Sequence, residues 1–315
     1  MPTETAERIV ERALEVGVRS CHRPRSGSVA ETVVCRLTAT DGNGDGNAAV
    51  GDRVVCKRGG ASVWTGDVVE PLVCDLVGRT TDVPVPRVLA TGTLEDGAEL
   101  ERWAVYEHRP GTNPRRRYVD LESPVRRRLV ADAGTLLGRL HDTAKLAFDR
   151  VGGLARRTDG SGLVLCDPDG WHAVDPGPVL ERLSVPLAGD DGCRPVLTHG
   201  DYQPGNLLVD ESGAITAVLD WGNAHVTHAE YALARAEVRF VDVYAGRLPR
   251  AECRRLRHTF RRAYASYTSL GSGYDRRAPV YKLLWAGQST ANYLQIVRRA
   301  RGRRQLRRQL CRVLE

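Results

Sequence analysis

The chain is 315 residues long, 42% hydrophobic and 27% charged, with a formal net charge of +7 and a pI near 9.1. That balance describes a folded globular protein and excludes disordered, collagenous and disulfide-dense classes. No apolar run approaches the ~18 residues of a membrane span, and the polar, acidic start MPTETAERIV does not read as a signal peptide, so a cytoplasmic protein is expected.

In chain order, residues 4–18 place Ala6, Ile9, Val10, Ala13 and Leu14 at helical spacing. The small-residue stretch RSGSVAE, Arg25 to Glu31, opens a strand over Thr32 to Leu37. Residues 40–50, TDGNGDGNAAV, form a loop by composition; their alternating Asp and Gly lack the spacing and terminal Glu of an EF-hand. Asp52 to Arg58 is the next strand, and period two sets Lys57 and Arg58 on opposite faces. Asp67 to Val77 reads as a helix starting near Glu70, because Pro71 is tolerated only in a first turn. Strands follow at Arg87 to Leu94 and Arg102 to Tyr106, then a break at Arg109-Pro110-Gly111.

Ser123 to Ala144 is an amphipathic helix, capped by Ser123 with Pro124 at its first position, and its His141 reads as structural. Phe148 to Pro178 is loop-rich, and Trp171, His172 and Asp175 take no role there. Pro249 to Leu270 and Arg276 to Leu310 read as helices; Tyr281, Trp285, Gln288, Asn292 and Tyr293 sit about one turn apart, with core packing as the plain reading. The eight cysteines are scattered with no C-x-x-C pair and read as reduced core thiols. Arginines cluster at 115–117, at 126–128 and along 298–312. Without interleaved aromatics they describe a solvated helix face, so nucleic-acid binding is not expected.

The informative stretch is Val196 to Asp220. It holds HGDYQPGN, a short apolar run, a Glu-Ser-Gly turn and a second apolar run ending at Asp220. A hairpin there folds Asp220 back toward Asn206. Phosphoryl transfer needs a carboxylate to accept the proton of a hydroxyl and oxygen ligands for Mg²⁺. Asp201 fits the base, with the metal Asn five positions on, as in kinase catalytic loops. Asn206 and Asp220 fit the metal ligands, and His199 supports the loop.

HGDYQPGN followed by LDWGNA resembles the aminoglycoside phosphotransferase and choline-kinase-like family, whose members share a protein-kinase-like fold. The resemblance implies a two-lobed α+β fold: an antiparallel-sheet N-lobe over 1–107 binding nucleotide, and a mainly helical C-lobe over 108–315 with the catalytic loop and acceptor site. It implies ATP with Mg²⁺, and transfer of the γ-phosphoryl group to a hydroxyl of a small molecule. It places the phosphate loop at Ser26, Gly27 and Ser28, a phosphate lysine at Lys57 paired with Glu70 (Asp67 as the substitute), and the adenine hinge at Glu107 and His108. Here Gly222 to Ala234 departs from the family pattern, with His228 and Ala232 about where aspartates are usual. The acceptor, the choice between ATP and GTP, and the oligomeric state stay open. The rival readings are a nucleotide-binding module without turnover and a basic nucleic-acid-associated protein.

Overall fold

In ETVVCRL and RVVCKR apolar side chains recur on one face, and strands form there. Strand β2 (Glu31–Leu37) buries Val33 and Cys35, and β3 (Arg53–Arg58) buries Val54 and Cys56. With β1 (Val18–His22), β4 (Val88–Asp96) and β5 (Glu99–Glu107) they make an antiparallel sheet in the order β1-β2-β3-β5-β4. The apolar stripe of helix α1 (Thr3–Leu14) packs Ala6, Ile9 and Val10 with Val33, Val54 and Val105 in a small core. Strand β5 is buried on both faces: Val105 joins that core, whereas Ala104 and Tyr106 join Val73 and Val77 of α2 (Glu70–Thr80) in the main one. The computed structural model describes residues 1–24, 30–38, 51–96, 99–142, 144–167, 176, 181–182 and 193–291.

The second lobe is built mainly of helices. Helix α3 (Ser123–Leu140) lies against α5 (Arg250–Ala265), and the glycines of AGTLLGRL set how close they come. A Cβ on Gly134 would sit 2.5 Å from the Phe260 carbonyl oxygen, and one on Gly138 2.8 Å from that of Tyr264. A four-stranded sheet orders β6 (Gly152–Arg156), β7 (Leu163–Cys166), β8 (Pro195–Thr198) and β11 (His225–His228) as β7-β6-β11-β8. Strands β9 (Leu207–Val209) and β10 (Ile215–Val218) form the hairpin. Helix α4 (Ala229–Phe240) follows β11 and packs on α6 (Tyr274–Ala291). The result is a two-lobed α+β, protein-kinase-like fold.

Three sequence expectations need correction. The loop-rich stretch contains β6 and β7, and β11 was not foreseen; β11 is buried at every position, so no alternation marks it. Ser123 does not cap α3: its hydroxyl donates to Glu252 Oε1 at 2.8 Å, and Glu122 holds the cap position without a side-chain bond. Cys21 and Cys35 are a disulfide rather than free thiols, facing each other across β1 and β2 with Cα atoms 4.2 Å apart. A separation of 14 residues carries no such signal until the strands pair. Among the described residues no helix is long and apolar enough to cross a membrane.

His141 is sealed in the core as expected, its Nδ1 3.0 Å from the Tyr264 hydroxyl. Burial, then Arg194, pushes it down to about 3; burial, then Arg235, takes His225 to about 3 as well. Both stay neutral in the folded chain but bind a proton near pH 6.5 when unfolded, so stability is lost as pH falls below that value. Between pH 6.5 and 5 each should cost about 2 kcal/mol. Urea unfolding should therefore show a midpoint falling with acid in this window, and His141→Asn should flatten the slope in part, the other buried histidines carrying the rest. An unchanged slope in that variant would dismiss His141 as the cause.

Candidate active site

The loop between β8 and β9 carries the predicted residues, and one buried histidine organises it. His199 Nε2 donates to the Leu219 carbonyl at 2.8 Å, which leaves Nδ1 to accept the Asp201 backbone N–H at 3.2 Å. That pattern requires the neutral ring, and burial lowers the His199 pKa accordingly. The ring also packs 4.6 Å from Trp221. His199 thus ties the loop to the end of β10, in the supporting place expected of it.

Asp201 is gripped at both oxygens. Oδ2 accepts from Gln203 Nε2 at 2.6 Å and Asn206 Nδ2 at 3.0 Å. Oδ1 is held by the Arg239 guanidinium. Burial alone would raise this carboxyl, but Arg239, followed by His199, Arg235 and Gln203, holds it below the usual carboxylate range. Asn206 Nδ2 also donates to the Asp201 carbonyl at 2.8 Å, so its amide oxygen is turned away from Asp201. The Leu219 N–H donates to the Asn206 carbonyl at 2.8 Å. The β9–β10 pairing of Leu207 with Val218 then brings Asp220 beside Asn206. Asp220 takes the left-handed conformation, φ 68°, and its side chain is 58% exposed.

Lys57 reaches this point from β3. Its Nζ lies 2.7 Å from Glu70 Oε1 and 3.6 Å from Asp220 Oδ1. Burial would lower the ammonium, but Glu70 and Asp220 outweigh it and raise the Lys57 pKa. Pro71 does no damage because α2 begins at Glu70, which puts the proline in the first turn. Asp67 is no substitute: it accepts the backbone N–H groups of Val68 and Arg156. Arg58, on the other face, binds Glu31 and Glu101.

The segment after β5 is laced to the catalytic hairpin. The Glu107 N–H donates to the Arg87 carbonyl at 2.9 Å, and its carboxylate meets Arg109 at 2.7 Å. Thr112 and Val209 exchange backbone bonds, and Asn113 donates to the carbonyl of Gly205 at 2.7 Å. His108 is partly buried, and burial lowers its pKa. The Glu107 N–H is thus committed to the Arg87 carbonyl. Ser26, Gly27 and Ser28 lie outside the described residues. So do residues 40–50, Trp171, His172, Asp175, Asn292, Tyr293 and the arginines of 298–312.

Two residues at the site were missed by sequence reading, Arg235 and Arg239. The signal was present in YALARAEVRF, where two arginines sit four apart in an otherwise apolar helix and so share a face. Trp285 and Gln288 are core, as the plain reading had it: Trp285 lies under Arg239, and Gln288 accepts from the Tyr231 hydroxyl at 2.5 Å. A cavity of 110 Å³ lined by residues including Pro71, Gly92, Trp103 and Arg156 contains none of the predicted site residues.

The fold is that of protein-kinase-like phosphotransferases. The chain belongs to the phosphotransferase enzyme family that includes the aminoglycoside phosphotransferases, whose model matches residues 73–280. Among solved structures it resembles a candidate aminoglycoside phosphotransferase from Ralstonia eutropha JMP134, with 16% identity, a TM-score of 0.58 and coverage of 99% of this chain and 98% of that one. A candidate fructosamine-3-kinase from Thermobifida fusca gives 20% identity, a TM-score of 0.55 and coverage of 98% and 99%. A microcompartment-associated aminopropanol kinase gives 15%, 0.56, and 98% and 94%. At these identities the likeness speaks for the fold. No curated protein matches the sequence.

Proposed function

We propose that this protein is a small-molecule kinase that moves the γ-phosphoryl group of ATP to a hydroxyl, with the nucleotide between a lobe ending near 107 and the lobe that follows. The observation that carries the reading is that Lys57, Asp220, Asn206 and Asp201 meet around one hairpin: Lys57 Nζ lies 3.6 Å from Asp220 Oδ1, and Asn206 donates to Asp201 Oδ2 at 3.0 Å. Solved relatives of the same fold bound to AMP-PNP and hygromycin B support a nucleotide and a small acceptor as ligands.

The residues fit magnesium. The Asn206 amide nitrogen is spent on Asp201, which leaves its oxygen as a donor, and the Asp220 carboxylate is open to solvent. Among the described residues no cluster of three or more His, Cys, Asp or Glu stands ready for a metal. One carboxylate and one amide suit a cation that keeps phosphate and water ligands. When bound, magnesium would neutralise charge on the β- and γ-phosphates. Lys57 steadies the phosphates as a point charge. The acceptor oxygen bonds to the γ-phosphorus as the bond to the β–γ bridging oxygen breaks, ADP leaves, and the hydroxyl proton passes to Asp201. A carboxylate below its usual range is a weak base, but the loose transition state of phosphoryl transfer asks chiefly for orientation.

The test is mass spectrometry of ATP, Mg²⁺ and the protein with amino alcohols, sugars, hydroxy acids, nucleosides and aminoglycosides. A phosphorylated product that requires Lys57 establishes the activity. Lys57→Met should also destabilise the fold by roughly 3–5 kcal/mol, because it strands the buried Glu70 carboxylate. Adding Glu70→Gln should restore most of the stability and none of the nucleotide binding. Recovery of both would show that Lys57 serves the fold alone. A protein that binds nucleotide without any product would favour the module without turnover.

A further inference from the structure

The charge around α4 is unevenly shared. Its carboxylates and those just beyond it are satisfied by cations on the far side. Glu230 pairs with Arg277 at 2.7 Å, both nearly sealed from solvent. Glu237 binds Arg261 and, at 3.0 Å, Lys282. Asp242 binds Arg257 at 2.6 Å and Lys282 at 2.7 Å. On the side facing the catalytic loop only arginines are left. Arg235 donates through Nη2 to the Gly200 carbonyl, while its Nη1 is buried with no hydrogen-bond partner. Arg239, one turn on, holds Asp201 and lies 5.9 Å above the Trp285 ring. Arg115 runs along Gly205, its Cδ 3.2 Å from where a Cβ would stand. Tyr244, its ring 4.5 Å from that of Tyr118, has its pKa raised by burial, with Arg239, Arg115 and Arg247 opposing the shift. Among the described residues Asp201 is the carboxylate paired with this group.

We propose that the acceptor is a small hydroxy compound bearing an oxyanion, carboxylate or phosphate, which Arg235 and Arg239 clamp beside Asp201. The proposal rests on the kinase reading above and names its substrate class. Guanidinium forks match the two oxygens of a carboxylate or phosphate, and the buried, unpartnered Nη1 of Arg235 supplies a donor that nothing in the fold uses. As the anion lands it draws Arg239 from Asp201 Oδ1 and frees that oxygen for the hydroxyl. Base and substrate are thereby coupled: the guanidinium that covers Asp201 leaves only for an anion. A polycation would meet like charge from Arg115, Arg235, Arg239 and Arg247 at this mouth, so an aminoglycoside is disfavoured here.

The test loads the protein with Mg·AMP-PNP, which fills the γ-phosphate position, and titrates inorganic phosphate, glycerate, glycerol and kanamycin. Calorimetry and tryptophan fluorescence report binding, the latter because Trp285 lies under Arg239. Phosphate or glycerate should bind saturably, glycerol and kanamycin should not, and the tighter of the two anions identifies the oxyanion. Arg235→Gln and Arg239→Gln should each weaken that binding roughly tenfold to a hundredfold, the worth of a charge-assisted hydrogen bond. Their AMP-PNP affinity should stay near wild type, which certifies the fold; Arg239→Gln should melt lower, because it removes the cation paired with Asp201. Oxyanion binding undiminished in both variants, absent in the wild type, or weaker than that of kanamycin overturns the proposal and leaves the kinase reading standing. Failure to bind AMP-PNP overturns both.

Discussion

Asp201→Asn should bind Mg·ATP nearly as well as the wild type and turn it over roughly 10²–10⁴-fold more slowly, the usual worth of a positioned general base. On the proposed reading Asp201 serves the acceptor while Lys57, Asn206 and Asp220 serve the phosphates, so binding and chemistry should separate in this variant. The substitution has a structural cost that must be measured beside it. Three donors converge on the carboxylate, from Arg239, Gln203 and Asn206. An amide offers one acceptor oxygen and turns an NH₂ toward the others. Arg239 can keep the oxygen, and Gln203 can rotate to present its own, but a misfit of about 1–3 kcal/mol is expected. Rates are therefore compared well below the melting transition of the variant. Gln203→Ala is the control, because it loosens the same carboxylate and keeps the base; its kcat should fall far less. If Asp201→Asn and Gln203→Ala lose kcat equally, Asp201 organises the loop and accepts no proton.

The chain announces its candidate catalytic loop because phosphoryl-transfer chemistry would fix spacings within one short segment. Asp201 and Asn206 lie five apart, and the hairpin that returns Asp220 is written in two apolar runs around Glu-Ser-Gly. The lysine and glutamate were found through family resemblance, and α2 begins where Pro71 allows. What stayed hidden depends on contacts between distant segments. Arg239 meets Asp201 across 38 residues, and the Cys21–Cys35 bond exists only once β1 pairs with β2. Strand β11 is read with difficulty for another reason. It is central in its sheet and buried on both faces, so HVTH has no polar side to give a period. Ser123 had every local mark of a helix cap and lost to a buried carboxylate, Glu252, on α5.

Gly200→Ala should be the most damaging single methyl group in the molecule. In HGDYQPGN a glycine directly precedes Asp201, and the structure supplies a physical reason for glycine here. Gly200 sits at φ +79°, and a Cβ there would lie 1.8 Å from the Asn223 carbonyl oxygen and 2.5 Å from its carbon. The left-handed conformation alone costs an L-residue about 1–2 kcal/mol. The overlap is with backbone, so relief requires moving the 221–223 turn. That turn is pinned on all sides: the Trp221 indole donates to Val218 at 3.0 Å, the Trp64 indole donates to the Asn223 carbonyl at 3.1 Å, and the Val63 N–H donates to the Asn223 side chain at 3.2 Å. Moving it also shifts Trp221, whose N–H serves Glu70, and Asp220 just before it. A loss of more than about 4 kcal/mol is expected, in the rare class of single substitutions, with a melting temperature lower by roughly 10 °C or more. Gly205→Ala in the same loop is the comparison. Its Cβ would meet only the flexible Arg115 side chain, nearest atom 3.2 Å away, and its φ is not positive. It should cost under about 1 kcal/mol, the range of an ordinary surface change. Thermal melts of the two variants decide the matter: equal melting temperatures would mean that the Gly200–Asn223 contact does not hold the catalytic loop against the turn after Asp220.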